Sequence, residues 1–457
     1  MERVRKTVSN AAMAAMTLLY LLEVLAGLPT EAASASAAAV VLLVNLPVMG
    51  KTFRAPAWVF FLAGAGILLA AGAPVSQWLA GLGSMLKTAV ILIVMQGLSL
   101  AMGRGRYEQA VSQCLRGGAG SSAGLFCLVM LLAHLLASVM SLGSVVVILA
   151  AIAPALNGAE SKRFMAASVS WGYCTLFLWA PGTVTVLMSM QIFGLSWQSY
   201  FPPAFALSLL GLGLGAALAR VLFRREAREM TAARSPEPAS REAWGKVGRL
   251  AGVLLVIVAG ITVLERMGFR TATGRLLAVT LAVSGVWLLA QCRTPGLPPL
   301  LRTWWEEALP KNRDLSCFFL AMGIFSGAIQ YSGFSRALTD LCQGRQDLLG
   351  PWVLPLLPAA VVLFSLAGLH PFVSVLMIGP ILAEMPLPAT PLQLGLSMSL
   401  GCCLSYMLSP FAGLILALSS GLEVPPARIC LRSNLAYALV YYAAAVCVIL
   451  LLPVLYR

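Results

Sequence analysis

The chain has 457 residues, of which 60% are hydrophobic and only 11% charged. A soluble domain needs about 25% charged residues to coat its surface, so this composition excludes a pair of water-soluble domains and requires a surface that faces lipid. The net charge of +14 does not point to nucleic acid, because the basic residues sit in short connections between apolar segments, as positive-inside topology produces.

The first element, over residues 1–32, is a basic start (Met1–Lys6) followed by an apolar run over 11–28. Ala33-Ser34-Ala35-Ser36-Ala37 has the small residues of a cleavage site, but the charge partition given below favours a retained transmembrane helix. Further apolar spans follow at 33–49, 55–73, 83–102, 164–194, 199–222, 247–265, 273–292, 315–332, 391–422 and 429–455. Crossing about 30 Å of hydrocarbon takes roughly 17 or more residues, and these eleven segments meet that length. Two other apolar stretches, 120–157 and 350–385, are broken at Ser141-Leu142-Gly143-Ser144 and at Gly368-Leu369-His370-Pro371.

Charge removes a single crossing for either stretch. If both return to the face they left and the N-terminus is cytoplasmic, the inner segments hold 24 of the 31 Lys and Arg residues. Their second arms, 145–157 and 372–385, are short for a full crossing, so both stretches read as re-entrant hairpins. Between the halves, 223–246 is the one long polar connection, broken at Ser235-Pro236-Glu237-Pro238; it reads as a cytoplasmic linker whose four glutamates dilute its basic field. None of the ten cysteines forms a C-x-x-C pair, so neither a disulfide framework nor a zinc site is indicated.

A self-match organises the rest. Ser168, Ser170, Gly172, Cys174 and Pro181, in SVSWGYCTLFLWAP, recur as Ser397, Ser399, Gly401, Cys403 and Pro410 in SMSLGCCLSYMLSP, 229 residues later. Pro154 and Pro380 occupy matching places upstream, and Gly194-Leu195 matches Gly421-Leu422 downstream. The halves are 33–222, with a hairpin over 120–157 and a broken helix over 164–194, and 247–457, with a hairpin over 350–385 and a broken helix over 391–422. An amphipathic stretch precedes each hairpin, Arg106–Leu115 and Phe334–Cys342. The first follows a span ending inside and the second a span ending outside, so the repeats are inverted, as in many secondary transporters.

Pro181 and Pro410 each remove an amide donor and push the preceding residue out of the α region. A break at that depth persists only where protein or a hydrated cavity satisfies the freed backbone. The helix starts beyond the breaks suit an anion, and the freed carbonyls suit a cation such as Na⁺. Candidate binding residues are Ser141, Gly143 and Ser144 at the first tip, Gly368, His370 and Pro371 at the second, and Thr183 and Ser409 beside the breaks. His370 is able to bind an anion, shuttle a proton or donate one hydrogen bond. His134, in the apolar arm of the first hairpin, reads as a packed ring with satisfied nitrogens. The repeated serines read as helix-packing residues, and Asn45, Gln96 and Gln191 as interhelical hydrogen bonders.

In this order of elements the chain resembles the ion transporter superfamily, and most of all its divalent anion/sodium symporter (dicarboxylate transporter) architecture, over nearly its whole length. The tips differ: the family carries Ser-Asn-Thr at both, where this chain reads Ser141-Leu142-Gly143-Ser144 and Leu369-His370-Pro371. The resemblance implies a homodimer, an elevator-like movement of a transport part against a scaffold, and substrate and cation binding between the tips and the broken helices, with Na⁺ as a candidate coupling ion.

The expectation is therefore an all-α polytopic protein of a bacterial-type inner membrane that carries a small, organic anion by secondary active transport coupled to Na⁺ or H⁺. A cation/proton antiporter needs intramembrane carboxylates, which the repeats almost lack. The membrane subunit of a tripartite binding-protein-dependent transporter is a further reading. A membrane-embedded enzyme needs clustered His, Asp or Glu, and the two histidines lie far apart with no acidic cluster beside either. No catalytic residue, cofactor or metal site is expected beyond Na⁺ at the tips; the expected partners are the anion, membrane lipid and a second copy of the chain, and not nucleic acid.

Overall fold

The computed structural model describes residues 2–117, 122–152, 158–223, 239–269, 271–291, 302–333, 350–385 and 387–455. Pro154, the amphipathic stretch Phe334–Cys342 and most of the linker lie outside them. Among the described residues all regular structure is helical, and 11 helices are long and apolar enough to cross a membrane. The chain is a polytopic α-helical membrane protein.

In chain order the helices are α1 (Glu2–Leu21), α2 (Glu31–Asn45), α3 (Lys51–Ala70), α4 (Val75–Arg104), α5 (Tyr107–Gly117), α6 (Ser122–Met140), α7 (Gly143–Ile152), α8 (Ala159–Thr175), α9 (Val184–Ile192) and α10 (Trp197–Leu222). They continue as α11 (Arg241–Arg266), α12 (Ala272–Gln291), α13 (Leu309–Tyr331), α14 (Val353–Leu366), α15 (Pro371–Glu384), α16 (Pro391–Leu408), α17 (Gly413–Leu422) and α18 (Leu435–Leu455). Residues 241–246, at the end of the expected linker, are the first turns of α11. The set of 11 includes α6 and leaves out α8 and α9. The physical reason is that α8 opens on Glu160, Lys162 and Arg163 and the helix is interrupted after Thr175, so neither piece holds a long apolar window.

The chain forms two compact units, Met1–Ala101 with Val263–Gln343, and Met102–Thr262 with Gly344–Arg457. In the first, small residues let backbones approach: a Cβ on Gly64 would meet the Phe325 Cα at 2.7 Å, and one on Gly327 would meet the Gly81 Cα at 2.6 Å. The rings of Phe60, Phe318 and Phe325 fill the same contact. Asn45 acts between helices as expected, its Oδ1 accepting from the Ser9 hydroxyl at 2.8 Å.

The second unit holds both hairpins and both interrupted helices. α5 is amphipathic: Tyr107, Ala110, Val111, Cys114 and Leu115, at i, i+3, i+4, i+7 and i+8, form its buried face. It packs on α7, and the Arg116 Nε donates to the Ala151 carbonyl at 3.2 Å, closing the end of that arm. The hairpins are α6–α7 and α14–α15, with second arms of 10 and 14 residues. Each first arm lies along the interrupted helix of its own half, α6 on α8 and α14 on α16. Both approaches centre on the repeated glycines. A Cβ on Gly172 would overlap the Met130 carbonyl, and one on Gly401 would meet the Pro358 Cα at 3.0 Å.

Candidate functional site

At the first tip Ser141 is left-handed, with φ 50°. Its amide closes α6 on the Ala137 carbonyl at 3.0 Å. That position usually falls to glycine, because a left-handed L-residue costs about 1–2 kcal/mol. Of the three small residues at this tip it is Ser141 that takes the left-handed conformation, and a Cβ on Gly143 would make only ordinary contacts with Met140. Strain of this kind collects at functional sites. Ser144, fully buried, turns its hydroxyl inward to the Ser141 carbonyl at 2.7 Å. The exposed Ser141 hydroxyl meets the Tyr173 hydroxyl at 3.3 Å.

The second tip is built from helix punctuation legible in Gly368-Leu369-His370-Pro371. α14 ends in a Schellman motif: Gly368 has φ 95°, its amide donates to the Ser365 carbonyl at 3.2 Å, and the Leu369 amide donates to the Phe364 carbonyl at 3.0 Å. His370 then caps α15 and Pro371 opens it. The His370 Nδ1 accepts from the Phe372 amide at 3.4 Å, and its Nε2 lies 3.4 Å from the Tyr406 hydroxyl. Gly368→Ala is expected to cost about 1 kcal/mol by forcing a Cβ into the left-handed region, read as a lowered Tm of the purified protein; Gly368→Asn is expected to cost less.

The breaks lie at Trp179–Thr183 and Ser409–Ala412. Thr183 precedes α9 in extended conformation, and its hydroxyl donates back to the Ala180 carbonyl at 2.8 Å. Ser409 donates to the Ser365 carbonyl at 2.7 Å and accepts from the Phe411 amide at 3.3 Å, fastening the second break to the end of α14. Pro181 is buried and Pro410 half-buried. Carbonyls released by the breaks find side-chain donors: Tyr200 donates to Leu178 at 2.9 Å and Asn434 donates to Met407 at 2.9 Å. This is how helix breaks persist inside a membrane protein, and it commits part of the acceptor capacity that a cation would use.

His134 lies beside the first break with both nitrogens engaged. The Trp179 Nε1 donates to its Nε2 at 3.1 Å, which requires that nitrogen to be unprotonated. Its Nδ1 then donates to the Gly172 carbonyl at 3.0 Å, 3.0 Å from the Thr175 hydroxyl as well. His134 is thus a neutral ring holding the end of α8 to α6. Ser168 and Ser170 bond to carbonyls of their own helix at 3.1 and 2.6 Å. Ser399 instead joins Tyr200 at 2.6 Å and Ser189 at 3.0 Å.

The second arm of each hairpin, α7 or α15, runs beside the second piece of the other half's interrupted helix. Leu142 sits 3.3 Å from a Cβ on Gly413, and Leu149 sits 2.5 Å from one on Gly421, so α7 and α17 advance together and are parallel. On the other side, a Cβ on Gly379 would meet the Ile192 side chain at 2.9 Å. Nearer the helix starts, the Cys402 thiol lies 3.9 Å from the Pro371 carbonyl and beside Thr185, so α9 and α15 are parallel too. Four helices thus begin at the tips and breaks, with their positive ends paired there. The tips are also linked: Ser141 touches Tyr173, Tyr173 and Phe177 have centroids 5.8 Å apart, Phe177 stacks on Tyr406 at 4.1 Å, and Tyr406 reaches His370.

This arrangement offers hydroxyl, imidazole and helix-start donors with no charged side chain at Ser141–Ser144, Trp179–Thr183, Gly368–Pro371 or Ser409–Ala412. Among the described residues no group of three His, Cys, Asp or Glu is placed to hold a metal ion. The sequence reading missed Tyr173, Phe177 and Tyr406. Their signal was position: all three lie in the two repeated fragments, Phe177 and Tyr406 at the repeat offset itself.

No protein-family model matches the sequence, and no curated protein matches it. Among solved structures, the fold is similar to the crystal structure of the YdaH transporter of Alcanivorax borkumensis, described as having an unusual topology. The TM-score is 0.58, with 16% sequence identity, over 87% of this chain and 97% of that one. At that identity the likeness concerns the fold.

Proposed function

We propose that this chain is a secondary active transporter that carries a small organic anion across a bacterial-type inner membrane, coupled to Na⁺ or H⁺. The observation that supports this reading above all is the pairing of α7 with α17 and of α15 with α9, which begins four helices at the two tips and two breaks. Paired helix starts favour negative charge without a fixed cation, so a carboxylate is able to bind there and leave again. Ser141, Tyr173, Tyr406 and His370 supply the directional donors. The division into a unit carrying the hairpins and a unit carrying α1–α4, α12 and α13 suits a transport part and a scaffold, and hence elevator-type alternating access by a homodimer with a cytoplasmic N-terminus. The role of the YdaH protein as a transporter is in keeping with this reading.

Purified protein in proteoliposomes is expected to accumulate a labelled mono- or dicarboxylate when a tenfold inward gradient of Na⁺ or H⁺ is imposed. One coupled ion supports up to about tenfold accumulation, which should collapse on adding an ionophore for that ion. Absence of gradient-dependent flux for every carboxylate and oxyanion tried would overturn the proposal.

A further inference from the structure

We infer a second anion site, apart from the tips and breaks, where α8 begins and the segment between α17 and α18 passes it. A cavity of about 350 Å³ opens there, lined by Lys162, Arg163, Arg428 and Arg432 together with Glu160 and Glu423. The acids neutralise only part of this cluster. Glu160 lies 3.6 Å from Arg163, and Glu423, 87% exposed, reaches Lys162 only at 3.9 Å. Arg428 and Arg432 have no carboxylate partner among the described residues.

The wall is held in place. The Arg163 Nε donates to the Arg432 carbonyl at 3.1 Å, and its guanidinium lies 4.9 Å from the Phe223 ring centroid. The backbone from Ile429 to Asn434 is a π turn, a feature common at functional sites, and both Arg428 and Arg432 line the cavity. Gly158 and Ala159, at the positive end of the 17-residue α8, complete the lining. Two surplus guanidiniums beside a helix start match the oxygens of a phosphate group, which takes forked arginine donors.

The cavity lies at the ends of the segments that cross the membrane, since the candidate span Pro426–Pro453 starts in its wall and Pro391–Leu422 ends beside it. Leu431, between the two arginines, is 63% exposed, as a side chain facing acyl chains would be. The ligand chemistry is therefore a phosphate-bearing anion at the membrane surface, and an anionic phospholipid headgroup or a free phosphate would both present it.

The test compares the full chain with R428Q/R432Q in neutral detergent, by Tm, with short-chain phosphatidylglycerol, short-chain phosphatidylcholine or inorganic phosphate added. Phosphatidylglycerol is expected to raise the wild-type Tm by on the order of 3 °C at saturation, phosphatidylcholine to leave it unchanged, and the double variant to lose the rise. An equal rise with inorganic phosphate, also lost in the variant, supports the site and makes its ligand soluble. A rise of the same size in both proteins, or none with either anion, overturns it. Both arginines are exposed, so the variant should keep its Tm in phosphatidylcholine; R428Q alone, with a reduced rise, provides the check if it does not.

Discussion

Replacing Gly172 by alanine is expected to destabilise the protein by on the order of 3 kcal/mol or more, with most of the expressed chain failing to elute as a monodisperse species. Overpacking a core commonly costs about 1–3 kcal/mol, because side chains leave their rotamers. Here the obstacle is backbone: the added Cβ would overlap the Met130 carbonyl and lie 3.0 Å from the Met130 Cα. No rotamer change relieves that clash, so α6 and α8 must separate. Separation would pull His134 from the Gly172 carbonyl and open the contact that carries the Trp179 bond. Gly401→Ala should cost less, about 1–2 kcal/mol, because its nearest neighbours, the Val361 Cβ at 2.9 Å and the Pro358 Cα at 3.0 Å, ask α14 for a smaller shift than the overlapping Met130 carbonyl asks of α6. Gly213→Ala is the control: nothing lies within 4 Å of its Cβ, and the helix gains about 1 kcal/mol of propensity. Size-exclusion profiles and Tm values of the three variants check the order; a Gly172→Ala protein as stable as Gly213→Ala would refute the close crossing.

The second large effect concerns the two histidines, which should fail in different ways. His370→Ala is expected to slow solute uptake by about 10- to 100-fold while the protein folds and elutes normally. Losing a hydrogen bond to a charged group costs about 1.5–3 kcal/mol, which converts to that range at 1.4 kcal/mol per decade. His370 is half-buried at the tip, and its bonds to the Phe372 amide and the Tyr406 hydroxyl are both long, 3.4 Å, so its removal should disturb the packing less than that of the buried His134. His134→Ala should instead lower stability by about 2–4 kcal/mol, since it leaves the buried Trp179 Nε1 without its acceptor and opens a void. Uptake by the surviving folded fraction should be closer to normal. Uptake per folded molecule separates the cases: equal loss in both variants, or a greater loss in His134→Ala, would remove His370 from the proposed site. Tyr406→Phe should weaken uptake in the same direction as His370→Ala, since it removes the hydroxyl facing the imidazole while retaining the stack on Phe177.

Much of this fold was legible because a membrane leaves few options. Apolar length identified most of the spans, and Gly368-Leu369-His370-Pro371 marked the break between α14 and α15. The repeated glycines, serines and prolines located the broken helices and, through Gly172 and Gly401, the two closest crossings. Less was legible where the chain is apolar on every side. Ser141 takes the left-handed position although Gly143 stands two residues away, because the turn is set by where α6 ends and α7 meets α17. The start of α4 at Val75 and of α11 at Arg241 depends on packing and solvation that a hydropathy window does not contain.

The sequence alone determined that the chain crosses the membrane many times, that it contains two related segments, and that each is interrupted at a proline. These follow from one-dimensional quantities: apolar length, charge placement, and residues that cannot continue a helix. Only the tertiary structure decided which groups meet. It paired the second arm of each hairpin with the other half's broken helix, joined the tips through Tyr173, Phe177 and Tyr406, engaged both nitrogens of His134, and gathered Arg428 and Arg432 around the start of α8. The reason is that such contacts link residues far apart in the chain, 269 positions in the Arg163–Arg432 bond, and a side chain's local pattern fixes its helix without fixing its neighbour.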